Sequence, residues 1–148
     1  FEMLKVAKEK CQNVEFHEGY ASKLPFKDSS VDIVSIVYGI RNVVDREDAL
    51  KEFYRVLKKD GLLVVLEFTK EEKKSILQKL ASFYNTKVLP FLGGMISGSY
   101  EAYRYLPSSI DSFLTADMLK TEMESVGFTP IFVKGYSANI STTLIVKK

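Results

Sequence analysis

The sequence predicts an α/β domain, a mostly parallel sheet with helices on its faces and an antiparallel hairpin at its end. Three observations carry this. Val31 to Val37 (VDIVSIV) and Leu62 to Phe68 (LLVVLEF) are nearly continuous apolar runs, as expected of strands buried on both faces. Between them Ala49, Leu50, Phe53, Tyr54, Val56 and Leu57 recur at helical spacing. Strand, helix, strand in that order implies a right-handed crossover and a parallel pair. Thr129 to Tyr136 and Thr142 to Lys147 read as two further strands joined by a turn around Ser137 to Asn139, so they must run antiparallel.

The chain opens on FEMLKVAKEK, where Met3, Leu4 and Ala7 share a helical face. This start reads as the inside of a helix; the expectation is one domain over residues 1–148, incomplete at its N-terminus. Val14 to Tyr20 alternates Val14 and Phe16 against Glu15 and His17, the pattern of a short strand. Ser22 to Ser30, with Pro25 inside it, is a loop. Asp45 is placed to cap the next helix, Glu47 and Asp48 favour its positive end, and Gly61 is placed to end it. Residues 70–85 start charged and turn amphipathic through Ile76, Leu77, Leu80 and Phe83. Pro90, Gly93, Gly94 and Gly98 interrupt the next stretch. Thr115 caps a late helix with Leu119, Met123 and Val126 inward, closed by Gly127.

Composition excludes several classes. Lys and Arg total 21 against 19 acids, and the lysines are interspersed with acids, so no nucleic-acid surface is expected. One cysteine, Cys11, and one histidine, His17, give no metal site and no internal disulfide. No apolar run is long enough to span a bilayer and no signal peptide is present, so the expected location is the cytoplasm. Ligands of open α/β sheets bind at the carboxyl ends of strands. Here those ends lie near Tyr20 and Ala21, near Val37 to Asn42, and near Glu67 to Thr69.

Three stretches carry a resemblance. They are LPFKDSSVDIVSIVYGIRNV (Leu24 to Val43), RVLKKDGLLVVLEFT (Arg55 to Thr69) and SYEAYRYLPSSI (Ser99 to Ile110). Leu-Pro-Phe before a strand and Leu-Lys-x-x-Gly before the next occur in many methyltransferases. Gly-Ile-Arg-Asn-Val and Tyr-Arg-Tyr-Leu are narrower. Together the chain resembles the ubiquinone/menaquinone biosynthesis C-methyltransferases, a class I, Rossmann-like family dependent on S-adenosylmethionine. Four departures stand out. Lys59-Asp60 replaces Pro-Gly, Thr69 replaces Ser, Tyr20 replaces an acid or amide, and Val37 replaces a Ser of some relatives. The family's Gly-rich loop has no counterpart here, since Gly93 and Gly94 follow a helix rather than a strand. The resemblance therefore implies absent N-terminal strands and an exposed sheet edge. The expectation is that either the missing part exists in the whole protein but not in this chain, or the edge closes by direct pairing or by homo-oligomerising.

The resemblance also assigns roles. S-adenosylmethionine is the implied cofactor, with Tyr20, Ala21, Val37, Tyr38 and Gly39 along it. A prenylated quinol is the implied acceptor. Arg41 would stabilise a phenolate, with Asn42 as a hydrogen-bond partner, and Glu67 would accept a proton or orient Arg41. The plainer readings are an arginine that pairs with an acid to fix the loop and a carboxylate that caps a helix or fixes a loop. Tyr100, Tyr103 and Arg104, with Tyr105, would line an aromatic substrate pocket or simply fill a core. Residues 83–96 would form a lid or a groove for an isoprenoid tail, with peripheral membrane contact, or an ordinary buried helix and loop. The leading reading is a quinol C-methyltransferase. The others are methylation of another small molecule, and a truncated, non-catalytic association domain.

Overall fold

The computed structural model describes residues 2–11, 13–70, 105, 108–136 and 140–148. The helix and loop expected over residues 71–98, the residues Tyr100, Tyr103 and Arg104, and the turn at 137–139 lie outside the described residues.

Helix α1 spans Glu2–Lys10 and strand β1 Val31–Val37. A short 3-10 turn, Ile40–Asn42, leads into helix α2, Arg46–Val56, and strand β2, Leu57–Phe68. Helix α3 is Ala116–Val126, and strands β3, Thr129–Tyr136, and β4, Ser141–Lys147, complete the chain. The sheet order is β1-β2-β4-β3. β1 and β2 pair in parallel, whereas β2 with β4 and β3 with β4 pair antiparallel. The expected parallel pair and closing hairpin are both present. The sheet is mixed rather than mostly parallel among the described residues, because β4 inserts antiparallel beside β2.

One face of the sheet makes the core. Val34 and Ile36 of β1 stand level with Leu63 and Val65 of β2, which face Val146 and Leu144 of β4. Ala49, Leu50 and Phe53 of α2 and Leu119 and Met123 of α3 join the same cluster. Both helices therefore cover that face. A bidentate pair from Arg46 Nε and Nη2 to Glu122, at 2.6 and 2.8 Å, ties α2 to α3. On the other face of β1, Ile33 and Val37 are 60% and 58% exposed. The expectation that β1 is buried on both faces is corrected. Its apolar run reflects a strand covered on one face and bare on the other among the described residues.

Three local expectations are also corrected. Residues 14–19 form no ladder; the segment has one isolated bridge, Tyr20 with Lys23, because no described strand lies beside it. Alternation alone does not make a strand without a partner for its backbone groups. Asp45 occupies the cap position of α2 but its side chain makes no capping hydrogen bond. Gly61 does not end α2, which stops at Val56 as the backbone turns extended at Leu57. Gly61 instead sits at a tight approach, where a Cβ would lie 2.9 Å from Lys58 O and 3.0 Å from Asp32 O. Lys58 to Gly61 stand opposite Asp32 alone on β1, a bulge in β2, since Leu57 faces Val31 and Leu62 faces Ile33. Asp60 takes a positive φ of 65° in this bulge. In α1, Leu4 and Ala7 are half-buried but Met3 is 87% exposed, so the expected apolar face is only partly covered.

The late helix forms as expected. The Thr115 side chain accepts from the Met118 N–H at 3.2 Å. Gly127 ends the helix at φ 112°, the left-handed region that favours glycine.

The two outer strands differ. β3 carries Pro130 and an irregularity between Pro130 and Phe132, and Lys134 lies further along it. These features blunt an edge. β1 pairs only with β2 among the described residues, and its interior holds no proline or lysine.

Candidate active site

The site lies where β1 and β2 end. β1 delivers Val37, and the next residue, Tyr38, adopts a left-handed φ of 51°. That conformation is uncommon for a side chain of this size. Several contacts hold it. Tyr38 N–H donates to Leu66 O at 2.8 Å, and Tyr38 O accepts from Arg41 Nη1 at 3.2 Å. The Tyr38 ring stacks on Phe68 with centroids 4.5 Å apart. Its hydroxyl lies 3.4 Å from Ser141 Oγ. This kink throws the chain across the end of β2 and places Arg41 and Asn42 there.

Glu67 belongs to the core-facing row of β2, after Leu63 and Val65. It is fully buried. Its Oε1 accepts from Arg41 Nη1 at 2.5 Å and from Phe68 N–H at 2.8 Å. Its Oε2 accepts from Arg41 N–H at 3.2 Å. A carboxylate with three donors on it is anchored, and these bonds account for its burial. The Arg41 side chain is 8% exposed. Its Nε donates to Ser109 Oγ at 3.3 Å, and its guanidinium lies 5.5 Å from the Phe68 ring centroid. Of the two readings of Glu67 and Arg41, the ion pair is formed in the structure, and it also fixes the direction of the guanidinium.

Asn42 is exposed, and its Oδ1 accepts from the Tyr105 hydroxyl at 2.6 Å. Tyr105, expected with its neighbours to line a pocket, thus reaches the Arg41–Asn42 turn. Ser109 reaches it too, and neither contact follows from sequence spacing. Tyr100, Tyr103 and Arg104 lie outside the described residues. Behind β2, Thr69 Oγ1 and Thr142 Oγ1 share a buried hydrogen bond of 2.8 Å.

Of the residues assigned to the cofactor, Tyr20 is 80% exposed, Val37 58% and Tyr38 39%. Ala21 and Gly39 are half-buried. Val37, Tyr38 and Gly39 share the strand end with Arg41. Tyr20 and Ala21 sit in the turn closed by Lys23 N–H on Tyr20 O at 2.9 Å. A second cluster fixes the loop after that turn. Glu52 Oε1 accepts from Leu24 N–H at 2.7 Å and from Arg55 Nη2 at 2.7 Å. Arg55 reaches on to Asp28 Oδ1 and Phe26 O. The Arg55 guanidinium, and next the Leu24 N–H, hold the Glu52 carboxyl down to about 2. In the sequence Leu24 to Phe26 stands out only as a motif; the signal for this cluster is the pair of charges at helical spacing, Glu52 and Arg55.

No group of three potential metal ligands occurs among the described residues, and none of their helices is long and apolar enough to cross a membrane.

Known proteins are similar to this chain in sequence and in fold. The chain is 51% identical over 146 residues to the ubiquinone/menaquinone biosynthesis C-methyltransferase UbiE of Campylobacter jejuni strain 81-176, covering 99% of this chain and 62% of that protein. It is 42% identical over 134 residues to the demethylmenaquinone methyltransferase of Thermotoga maritima, covering 88% of this chain and 58% of that one. The chain therefore spans about three-fifths of the length of these relatives. Among solved structures, a SAM-dependent methyltransferase of Thermotoga maritima matches with a TM-score of 0.66 at 25% identity, over 99% of this chain and 69% of that one. The [4+2]-cyclase SpnF matches with a TM-score of 0.67 at 15% identity, over 97% and 60%, which bears on fold alone. The described sheet and helices are thus those of a class I methyltransferase-like fold. All of residues 1–148 match one family, and the chain belongs to the ubiE/COQ5 methyltransferase family.

Proposed function

We propose that the protein of which this chain is at least a part transfers a methyl group from S-adenosylmethionine to a ring carbon of a prenylated quinol in menaquinone or ubiquinone biosynthesis. The observation that carries this reading is the buried Arg41–Glu67 pair at the carboxyl end of adjacent parallel strands, with Asn42 beside it. The names of the relatives support the acceptor class.

The cofactor's adenosine end fits the residues present. Val37 and Tyr20 offer exposed apolar and aromatic surface on which a purine can lie, and no charged side chain belongs to the Val37–Gly39 stretch. Bound there, S-adenosylmethionine would supply an electrophilic methyl on a sulfonium. Arg41 acts on the acceptor. A quinol ring carbon becomes nucleophilic as its phenolic oxygen gives up its proton, and a fixed cation near that oxygen favours the anion. Asn42 can donate to the same oxygen. Glu67 acts as a positioning carboxylate, since three donors and full burial keep it from solvent. Tyr38 and Phe68 set the aromatic wall beside the cation. Tyr100, Tyr103 and Arg104 belong to the acceptor side on the family resemblance. Cytoplasmic placement with peripheral membrane contact suits a prenylated acceptor.

The test uses the full-length enzyme. Arg41→Ala should lower kcat on a demethylmenaquinol by about 100-fold or more while S-adenosylhomocysteine still binds by calorimetry. Undiminished turnover refutes the role of Arg41. Failure of the full-length protein to bind S-adenosylhomocysteine refutes the methyltransferase reading itself.

A further inference from the structure

We propose that Tyr105 and Ser109 are positioning residues that orient the two donors, the Asn42 amide and the Arg41 guanidinium, toward a phenolic oxygen. The inference rests on the acceptor-side reading of Arg41 and Asn42 and deepens it. Two contacts carry it: Tyr105 hydroxyl to Asn42 Oδ1 at 2.6 Å, and Arg41 Nε to Ser109 Oγ at 3.3 Å.

An asparagine amide has a donor end and an acceptor end that a half-turn exchanges. Asn42 is exposed, so packing does not select between them. In the structure the Tyr105 hydroxyl donates to Oδ1 and holds the amide by that end. With Oδ1 engaged, the amide NH2 is the end left to meet an acceptor. An outward carbonyl would repel a phenolate; an outward NH2 stabilises it. The guanidinium raises a similar question of direction. Glu67 and Tyr38 O hold Nη1, and Ser109 holds Nε, so bonds from three chain segments fix its plane. A cation fixed in this way needs no reorganisation as charge develops on the acceptor. Tyr105 and Ser109 lie four residues apart in the sequence. Tyr105 is 56% exposed, which makes its hydroxyl dispensable for folding.

The experiment uses the full-length enzyme and a chromophoric phenol, a prenylated nitrophenol, whose absorbance reports its ionisation when bound. The wild-type protein should lower the pKa of the bound phenol. Tyr105→Phe and Ser109→Ala should each raise it by about half a unit to one unit, and lower kcat about 3- to 10-fold with the KM for S-adenosylmethionine unchanged. Ser109→Thr, which keeps the hydroxyl, should restore both. If Arg41→Ala raises the phenol's pKa but Tyr105→Phe and Ser109→Ala leave it in place, the inference is overturned and the reading of Arg41 stands. If Arg41→Ala also leaves it in place, both fall. A Ser109→Thr protein that remains as impaired as Ser109→Ala removes Ser109 from the proposal.

Discussion

Replacing Glu67 with glutamine should be among the more damaging single changes in this chain. The substitution is nearly isosteric, so it opens no cavity. It removes the charge that compensates a guanidinium only 8% exposed, and it puts an NH2 group among three donors. One of those donors must then face another donor. Leaving a buried charge without its partner costs about 3–5 kcal/mol. Set against a total stability of about 5–15 kcal/mol for a domain, that is a large share. For a chain of 148 residues it corresponds to a fall in Tm of about 6–20 °C. Urea titration monitored by circular dichroism measures it as a lower midpoint at unchanged slope. The double variant Glu67→Leu with Arg41→Met should recover only part of the loss, because it removes the unpaired charge but leaves the Arg41 and Phe68 N–H groups without their acceptor. A Glu67→Gln loss below about 1 kcal/mol would refute the reasoning, as it would mean that the guanidinium finds water or another acceptor at no cost.

The other contacts make their own demands. Glu52 is held down to about 2 when folded, below its ordinary 4.5, chiefly by Arg55. Its contribution is therefore fully present above the unfolded value and lost as pH falls from about 4.5 toward 2, and Glu52→Gln should flatten the acid limb of a stability-against-pH curve. Thr115→Ala should cost about 1 kcal/mol in urea titration, since the Thr115 side chain caps α3, whereas Asp45→Ala should cost much less, since Asp45 makes no such bond. Gly61→Ala should cost about 1–3 kcal/mol by thermal melting, because two backbone carbonyls stand where the new methyl must go.

Much of the fold was legible because its signals are local. VDIVSIV matched β1 residue for residue, and TPIFVKGY matched β3. Thr115 and Gly127 bracketed α3 because capping and a left-handed end each demand particular residues. What sequence could not give was which chain segment lies beside which. Residues 14–19 alternate like a strand yet have no described neighbour to pair with, and β1 reads as doubly covered yet is covered once among the described residues. Gly61 reads as a helix stop because it follows two lysines suited to a last turn; its real constraint is the close approach of Lys58 O and of Asp32 O, the latter far away in sequence. At the site, Arg41, Asn42 and Glu67 were singled out by motif, and the structure brings them together. That Glu67 anchors Arg41, and that Tyr105 and Ser109 reach the same turn, depends on contacts 26 to 68 residues apart, which no spacing rule encodes.

The contrast between the two outer strands bears on how the chain behaves during synthesis and handling. β3 is armoured by Pro130, its irregular register and Lys134, so contact with another molecule along that side gains little. Among the described residues β1 offers open backbone groups and the side chains of Ile33 and Val37. Where nothing else covers that edge, encounters between copies of this chain would favour β1 over β3. A lysine at position 33 would give β1 a similar guard while leaving the core-facing Val34 and Ile36 untouched.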